Sequence, residues 1–224
     1  MARHQIHTKR HLFARLIGVA ALTVTGVTAA TSSAQALDPG APIMTGHAFA
    51  LSTNGLLKLG PLADTGFVSA QTDTSVNKCV LPVHVGLLVT VQGICGNVSI
   101  AVPPTSPVPG VSAGASVANV TLALPGLPVI ALRSVSAASG TGCGGSNGTT
   151  EIGFLKIGTK TVINNLIHPA PNTIINLLGV KVLLNEQINT PGGLIVNGAV
   201  ISVGATLSVH VASATANIAN CNSD

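Results

Sequence analysis

Along much of the chain, apolar and polar residues alternate with the period of an extended strand. In Ser116-Val117-Ala118-Asn119-Val120-Thr121-Leu122, and again in Ser208-Val209-His210-Val211-Ala212-Ser213, neighbouring side chains are sent to opposite faces of a sheet. Gly86-Leu87-Leu88-Val89-Thr90-Val91 is apolar on both faces and reads as a central strand. Runs rich in Val, Ile, Thr and Leu predict strands over Thr45–Leu51, Gly66–Thr72, Cys79–Val91, Val98–Val102, Ser116–Leu124, Val129–Ser136, Thr150–Ile157, Thr161–Ile167, Thr173–Leu177, Val180–Gln187, Leu194–Val203 and Thr206–Ile218. Turn dipeptides punctuate them at Asn54-Gly55, Gly96-Asn97, Pro103-Pro104, Pro125-Gly126, Asn147-Gly148, Pro191-Gly192-Gly193 and Asn197-Gly198. A helical period is almost absent. Many short strands at this spacing predict an all-β, β-sandwich-like domain. An irregular β-solenoid is the alternative, and the lack of a fixed-period repeat counts against it.

Two stretches are expected to be irregular. Pro103–Gly114 carries Pro103, Pro104, Pro107 and Pro109 and reads as an extended loop or edge connection. Ser139–Thr149 reads as a low-complexity loop pinned by Cys143. Neither resembles a linker between domains, so residues 37–224 are expected to form a single domain whose halves meet near residue 140.

The first 36 residues differ in character. A cationic, His-rich start (Arg3, His4, His7, Lys9, Arg10, His11, Arg15) precedes the apolar stretch Leu16–Ala30, then Thr31-Ser32-Ser33 and Ala34-Gln35-Ala36. This is the pattern of a helical signal peptide, with small Ala34 and Ala36 suited to the peptidase pocket and cleavage after Ala36. An apolar core of about 15 residues, diluted by Ala, Thr and Gly, falls short of the ~20 needed to span a bilayer. No adjacent arginine pair points to the twin-arginine route. Export predicts a secreted, extracellular product, released or held at the cell surface, with no membrane contact after cleavage.

Removing the leader changes the charge. The formal +4 of the whole chain resides in Arg3, Lys9, Arg10 and Arg15. Beyond residue 36, Lys58, Lys78, Arg133, Lys156, Lys160 and Lys181 are balanced by Asp38, Asp64, Asp73, Glu151, Glu186 and Asp224. Single, scattered cations release few counterions, so nucleic acid is not an expected partner. The chain has no Trp or Tyr, and Phe49, Phe67 and Phe154 are the aromatic residues after the leader. Stacking platforms for sugars or single-stranded bases are therefore missing, and the three phenylalanines are expected to pack in the core.

Cys79, Cys95, Cys143 and Cys221 are even in number and all follow the leader, so in an oxidising compartment two disulfides are expected. Three pairings exist. Cys79 with Cys95 brackets a hairpin-like segment, and Cys143 with Cys221 would tie down the C-terminus, which favours that pairing. Zinc is disfavoured because no Cys-x-x-Cys occurs.

Candidate chemistry is sparse. Gly144-Gly145-Ser146-Asn147-Gly148 matches the nucleophile-elbow pattern, and Ser146, Glu186 and His210 follow in serine, acid, histidine order. An elbow needs a strand before the serine and a helix after it, whereas another strand follows here. His47, His84, His168 and His210 are far apart in sequence among apolar neighbours and read as locally hydrogen-bonded histidines. Glu186 reads as fixing a strand end or turn, with Asn185 and Gln187 satisfying backbone groups. Calcium and glycoside hydrolysis both need acids that cluster, and these are scattered. Asn97, Asn119 and Asn147 head Asn-x-Ser/Thr sequons that would be incidental in a bacterial protein. No catalytic residue, metal or cofactor is assigned.

Gly46-His47-Ala48-Phe49-Ala50-Leu51-Ser52-Thr53-Asn54-Gly55-Leu56-Leu57 with Leu59-Gly60-Pro61-Leu62 resembles the opening of the choice-of-anchor P family of secreted and surface proteins of Gram-positive bacteria. Pro171-Asn172-Thr173, Val182-Leu183-Leu184-Asn185-Glu186-Gln187, Gly193-Leu194-Ile195-Val196-Asn197-Gly198-Ala199 and the last strand up to Cys221 carry the resemblance through most of residues 45 to 221, and Asn-Glu-Gln is its most particular piece. It implies an exported or surface-displayed domain and supplies no catalytic residues. Family members with a surface anchor carry it as a C-terminal tail, and Asn222-Ser223-Asp224 has no sorting motif, so covalent wall attachment is not expected. The function expected is that of a non-enzymatic structural or interaction protein, secreted or of the cell envelope, with envelope components or further copies of itself as partners. The alternatives are a secreted serine hydrolase using Ser146 and a carrier of a small apolar ligand, which would need an apolar pocket between the sheets.

Overall fold

The computed structural model describes residues 40–221 except 56, 86, 87, 104 and 107. The expected signal peptide, with its cleavage residues Ala34 and Ala36, lies outside the described residues. Among them are fourteen strands and no helix: β1 (Ile43–Gly55), β2 (Leu59–Leu62), β3 (Val68–Ala70), β4 (Thr74–Val80), β5 (Val83–Val85), β6 (Val89–Ala101), β7 (Gly110–Leu122), β8 (Ile130–Gly142), β9 (Gly145–Ile157), β10 (Lys160–Ile163), β11 (Thr173–Leu177), β12 (Val180–Thr190), β13 (Gly193–Val203) and β14 (Leu207–Ala219).

They form two antiparallel sheets, neither of which closes on itself. The first runs β11-β12-β13-β14-β1-β2, with β3 also on β1, and the second runs β10-β9-β8-β7-β6-β4, with β5 also on β6. Every long strand buries one face in a shared aliphatic core, which is the two-sheet architecture that alternation predicts. The chain is not halved near residue 140. That position lies inside β8, and the first long strand pairs with the last, from Ile43 opposite Ala219 to Gly55 opposite Leu207. Ladder bonds between distant segments decide this division, and they leave no mark on local composition.

Both expected irregular stretches are shorter than their composition implies. β7 begins at Gly110, just past the last proline, so the loop spans only 102–109. Within it the Asp73 carboxylate accepts bonds from Val102 N (2.8 Å) and the Thr105 hydroxyl (2.6 Å). The Thr105 bond, then the Val102 bond, hold its pKa below the ordinary value. The Ser139–Thr149 tract is a hairpin with a turn at Cys143-Gly144, paired from Gly142 opposite Gly145 to Ser139 opposite Gly148. Its small residues keep the strand period, with Ser139 and Thr141 buried on the inner face. Gly96-Asn97, Asn147-Gly148 and Asn197-Gly198 likewise lie inside strands rather than at turns. Asn97 lies across Gly114 and Asn147 across Gly140, so close that a Cβ on either glycine would sit 2.7 Å from the asparagine Oδ1. An Asn-Gly pair turns the chain only where no neighbouring ladder holds it straight.

A fault crosses each sheet. Opposite one another in the first sheet stand Asn185, Gly198, Ala212 and Ala50, and in the second Gly93, Ala118, Ser134 and Gly153. On alternate strands the residue is left-handed: Asn185 at φ 49°, Ala212 at 55°, Gly93 at 59° and Ser134 at 51°. At the fault the inward positions change parity. β8 buries Ile130 and Leu132 on one side of it, and Val135, Ala137, Ser139 and Thr141 on the other. The fault thus divides the sandwich across its strands into two ends.

One end is filled by Leu122, Leu132, Leu155, Ile157, Leu184 and Ile201, all buried. The other sets Gly46, Ala48, Ala113, Ala137, Ser139, Thr141, Gly148, Ala214 and Ala216 among buried aliphatics such as Met44, Val98, Ile152 and Val196, and there the sheets approach closely. Ser139 Oγ donates to Leu194 O (2.8 Å) and Thr141 Oγ1 to Ala216 O (2.9 Å), both in the opposite sheet. A hydroxyl one bond beyond Cβ cannot bridge sheets at their usual ~10 Å separation. Gly46 and Gly148 are required here, since a Cβ on Gly46 would meet Val98 Cγ1 at 2.4 Å and one on Gly148 would meet Val196 Cγ2 at 2.5 Å.

Candidate functional site

Ser146, Glu186 and His210 do not meet. Ser146 sits just past the β8–β9 turn, with its Oγ 3.0 Å from Thr141 Oγ1, at the tip of the close end. Strands flank it on both sides, so the strand-to-helix elbow is absent. Thr141 in turn bonds Ala216 O. His210 lies six residues back along β14, about 20 Å away at ~3.3 Å per residue, and it belongs to the outer face of the first sheet.

Glu186 shares that outer face. Its Oε2 accepts from Asn197 Nδ2 at 2.7 Å. His210 is half-buried, with Nε2 3.5 Å from Ser208 Oγ. Burial pushes its pKa below the ordinary value, and the charge of Glu186 opposes part of that shift.

The residues beside Glu186 form a clamp. Asn185, left-handed where Asn is tolerated, donates from Nδ2 to Pro169 O (2.8 Å) and accepts Asn172 N at its own carbonyl (2.9 Å). Gln187 Nε2 donates to Gly148 O (3.0 Å) and to Asn185 Oδ1 (3.1 Å), while Gln187 N donates to Asn172 Oδ1 (3.0 Å). One short segment of β12 thereby joins β9 of the opposite sheet to the crossover before β11. Both amides serve backbone groups, the role expected of Asn185 and Gln187. Close by in sequence, Thr150 Oγ1 is buried without a partner.

The closest histidine–carboxylate pair among the described residues was not foreseen. His47 Nε2 lies 2.7 Å from Asp64 Oδ1, which also accepts Gly66 N at 2.8 Å. Phe67 stacks on the His47 ring at 4.4 Å between centroids, and Phe49 lies at 5.6 Å. Asp64 is carried by the loop between β2 and β3, and Thr65 ties that loop to β1 through Ala48 N and O. A separation of 17 residues through an irregular loop has no periodic signal in sequence. His168 and Glu151, at 3.7 Å, are both largely exposed.

The phenylalanines are not core residues. Phe67 is 75% exposed, and Phe49 stands on the outer face beside His47. Phe154 lies outside the second sheet, with the Arg133 guanidinium 4.9 Å from its ring centroid. The interior is filled by aliphatic and small side chains, which leave no room for rings where the sheets approach closely.

Cys79 is bonded to Cys95, directly opposite it across β4 and β6. Cys143 is bonded to Cys221, joining the β8–β9 turn to the chain after β14. Such cross-links belong to oxidising surroundings, extracellular or envelope. Among the described residues no three His, Cys, Asp or Glu side chains gather as a metal site requires. Asn97, Asn119 and Asn147 all stand on the outer face of the second sheet, which is otherwise built largely of Ser, Thr, Ala and Gly. Surface hollows lie on that face near Ser112 and Gly140, and at the β11–β12 turn near Leu178 and Lys181.

No protein-family model and no curated protein matches the chain. Among solved structures it is similar to Ail, the attachment invasion locus protein of Yersinia pestis, at 11% identity over 80% of this chain and 97% of that one, with a TM-score of 0.14, too low to carry an argument.

Proposed function

We propose that this chain is an exported structural or interaction protein, secreted or held in the cell envelope, that performs no catalysis. The observation that carries the reading is the Cys143–Cys221 bond, which staples the two sheets together at their close end. A cross-link between sheets suits a body that must keep its shape outside the cell. The dispersal of Ser146, Glu186 and His210 supports the non-catalytic part, as does the use of Asn185 and Gln187 for backbone bonds. The resemblance to the choice-of-anchor P family carries the same expectation.

Two measurements test it. Fractionation of the producing cells, with mass spectrometry of the N-terminus, is expected to recover the protein beginning at Leu37 from the medium or wall. Recovery in the membrane fraction with residues 1–36 intact would refute export by cleavage. A fluorophosphonate probe is expected to leave Ser146 unmodified, and stoichiometric labelling there would establish the hydrolase instead.

A further inference from the structure

The sheets expose edges, and most of these are guarded. β2 contains Pro61 and β3 has three residues. β4 carries Lys78 and is lashed to β6 by the Cys79–Cys95 bond. β5 has three residues. β10 has four residues and begins with Lys160, and the chain after it returns to bond β9 through Ile167 and Ile152. Charge, proline and brevity are the ordinary means of keeping a strand edge from pairing.

β11 has none of these guards. Thr173-Ile174-Ile175-Asn176-Leu177 is uncharged, without proline, and at the border of the first sheet. Ile174 is 54% exposed and Leu178, in the following turn, 61%. Leu178 and Gly179 both have positive φ (52° and 76°), the two-residue type I′ hairpin. Leu177 and Val180 therefore exchange main-chain bonds, and by alternation so do Ile175 with Val182 and Thr173 with Leu184. Ile174 and Asn176 turn their N–H and C=O groups away from β12, toward the open side.

We propose that β11 is a self-association edge, on which β11 of a second copy of this chain adds antiparallel across a twofold axis at Ile175. An extended strand is what a bare row of amides and carbonyls recognises. A second copy fits because the edge is self-complementary. With Ile175 facing Ile175, Ile174 of each copy stands opposite Asn176 of the other, and each such pair exchanges both of its free main-chain bonds. Ile175, which packs partly against the core, then meets its own counterpart, so the two cores become continuous. The balance of charges after residue 36 removes electrostatic repulsion between copies.

This deepens the proposed function by naming a partner. It stands on backbone geometry alone, so a monomer would sink the edge without touching the exported, non-catalytic reading, which fractionation and probe labelling decide. Sedimentation equilibrium of the purified, disulfide-bonded protein is expected to show a reversible rise to twice the chain mass. Ile174→Pro deletes an outward donor from each copy without removing an intrachain ladder bond, so it is expected to weaken the dimer by about tenfold or more. Ile174→Lys should do the same by adding a charge, and serves if the proline variant does not fold. Amide exchange in the wild type should slow at Ile174 and Asn176 as concentration rises. A chain that stays monomeric throughout, or a dimer indifferent to both variants, would overturn the proposal.

Discussion

The two ends of the sandwich hold together by different physics. The aliphatic end gains from area: each fully buried Leu or Ile contributes about 1.5–3 kcal/mol, and Leu122, Leu132, Leu155 and Ile157 stack there. The close end also buries aliphatic side chains, among them Met44, Ile94, Val98, Ile152 and Val196, but intersperses them with Gly, Ala, Ser and Thr on the inner face. To that burial it adds hydroxyl-to-carbonyl bonds between sheets, glycines that let backbones approach, and the Cys143–Cys221 cross-link. A sheet pair can thus be thin where small residues, direct bonds and a covalent staple supplement aliphatic burial. The faults at Asn185, Ala212, Gly93 and Ser134 mark where one regime gives way to the other.

Breaking the staple should separate the ends most clearly. With Cys143 and Cys221 both changed to Ser, loss of a cross-link closing 78 residues should cost about 4–5 kcal/mol in urea denaturation. Native-state exchange should accelerate at Ala137–Thr141 before it does at Ile130–Leu132. Equal acceleration at both would show that the ends are not distinct.

At the aliphatic end, Leu132→Ala should cost about 2–5 kcal/mol by thermal or chemical unfolding, the range for a cavity in packed aliphatic surroundings. Thr141→Val, nearly isosteric at the close end, should cost about 1–2 kcal/mol through the loss of its bond to Ala216. A neutral result would mean that the bond between sheets is incidental to their closeness.

Ser134→Gly should act in the opposite direction, since it relieves a left-handed serine at an exposed position. A gain of about 1 kcal/mol in unfolding free energy is expected. The smallest effect should come from pH. Burial lowers the pKa of His210 in the folded protein, with Glu186 opposing part of the shift, so it lies below that of the unfolded chain. Its contribution is complete above about pH 6.5 and is lost as pH falls through that value, because the unfolded chain then binds the extra proton. His210→Gln should flatten this part of the stability profile, measured as the urea midpoint between pH 7 and 5.

The all-β class, the two-sheet architecture and most strand positions were legible in sequence, because alternation and β-branched composition are local signals. Cysteine placement pointed to the observed pairing, and Asn185 and Gln187 were readable as backbone partners. Asn54-Gly55 does end β1, but the other two Asn-Gly dipeptides misled. At Asn147 and Asn197 neighbouring strands impose an extended path that turn propensity cannot overcome. The phenylalanines misled similarly, since hydrophobicity says that a ring prefers burial but not which face of its strand will meet the core, as Phe154 beside buried Leu155 shows. The His47–Asp64 pair had no signal, because the loop that delivers Asp64 is positioned by Thr65 bonding to Ala48.

Sequence alone determined which residues alternate, how the few charges after residue 36 balance, and that the even set of cysteines could pair in an oxidising compartment. These depend on chemistry within a few residues or on simple counting. Only the tertiary structure decided that β1 closes against β14, that a low-complexity tract becomes a hairpin, and that β11 is left as the unguarded edge. Each of these depends on which distant strand supplies the other half of a hydrogen-bond ladder, and a backbone donor carries no trace in sequence of the carbonyl it will find.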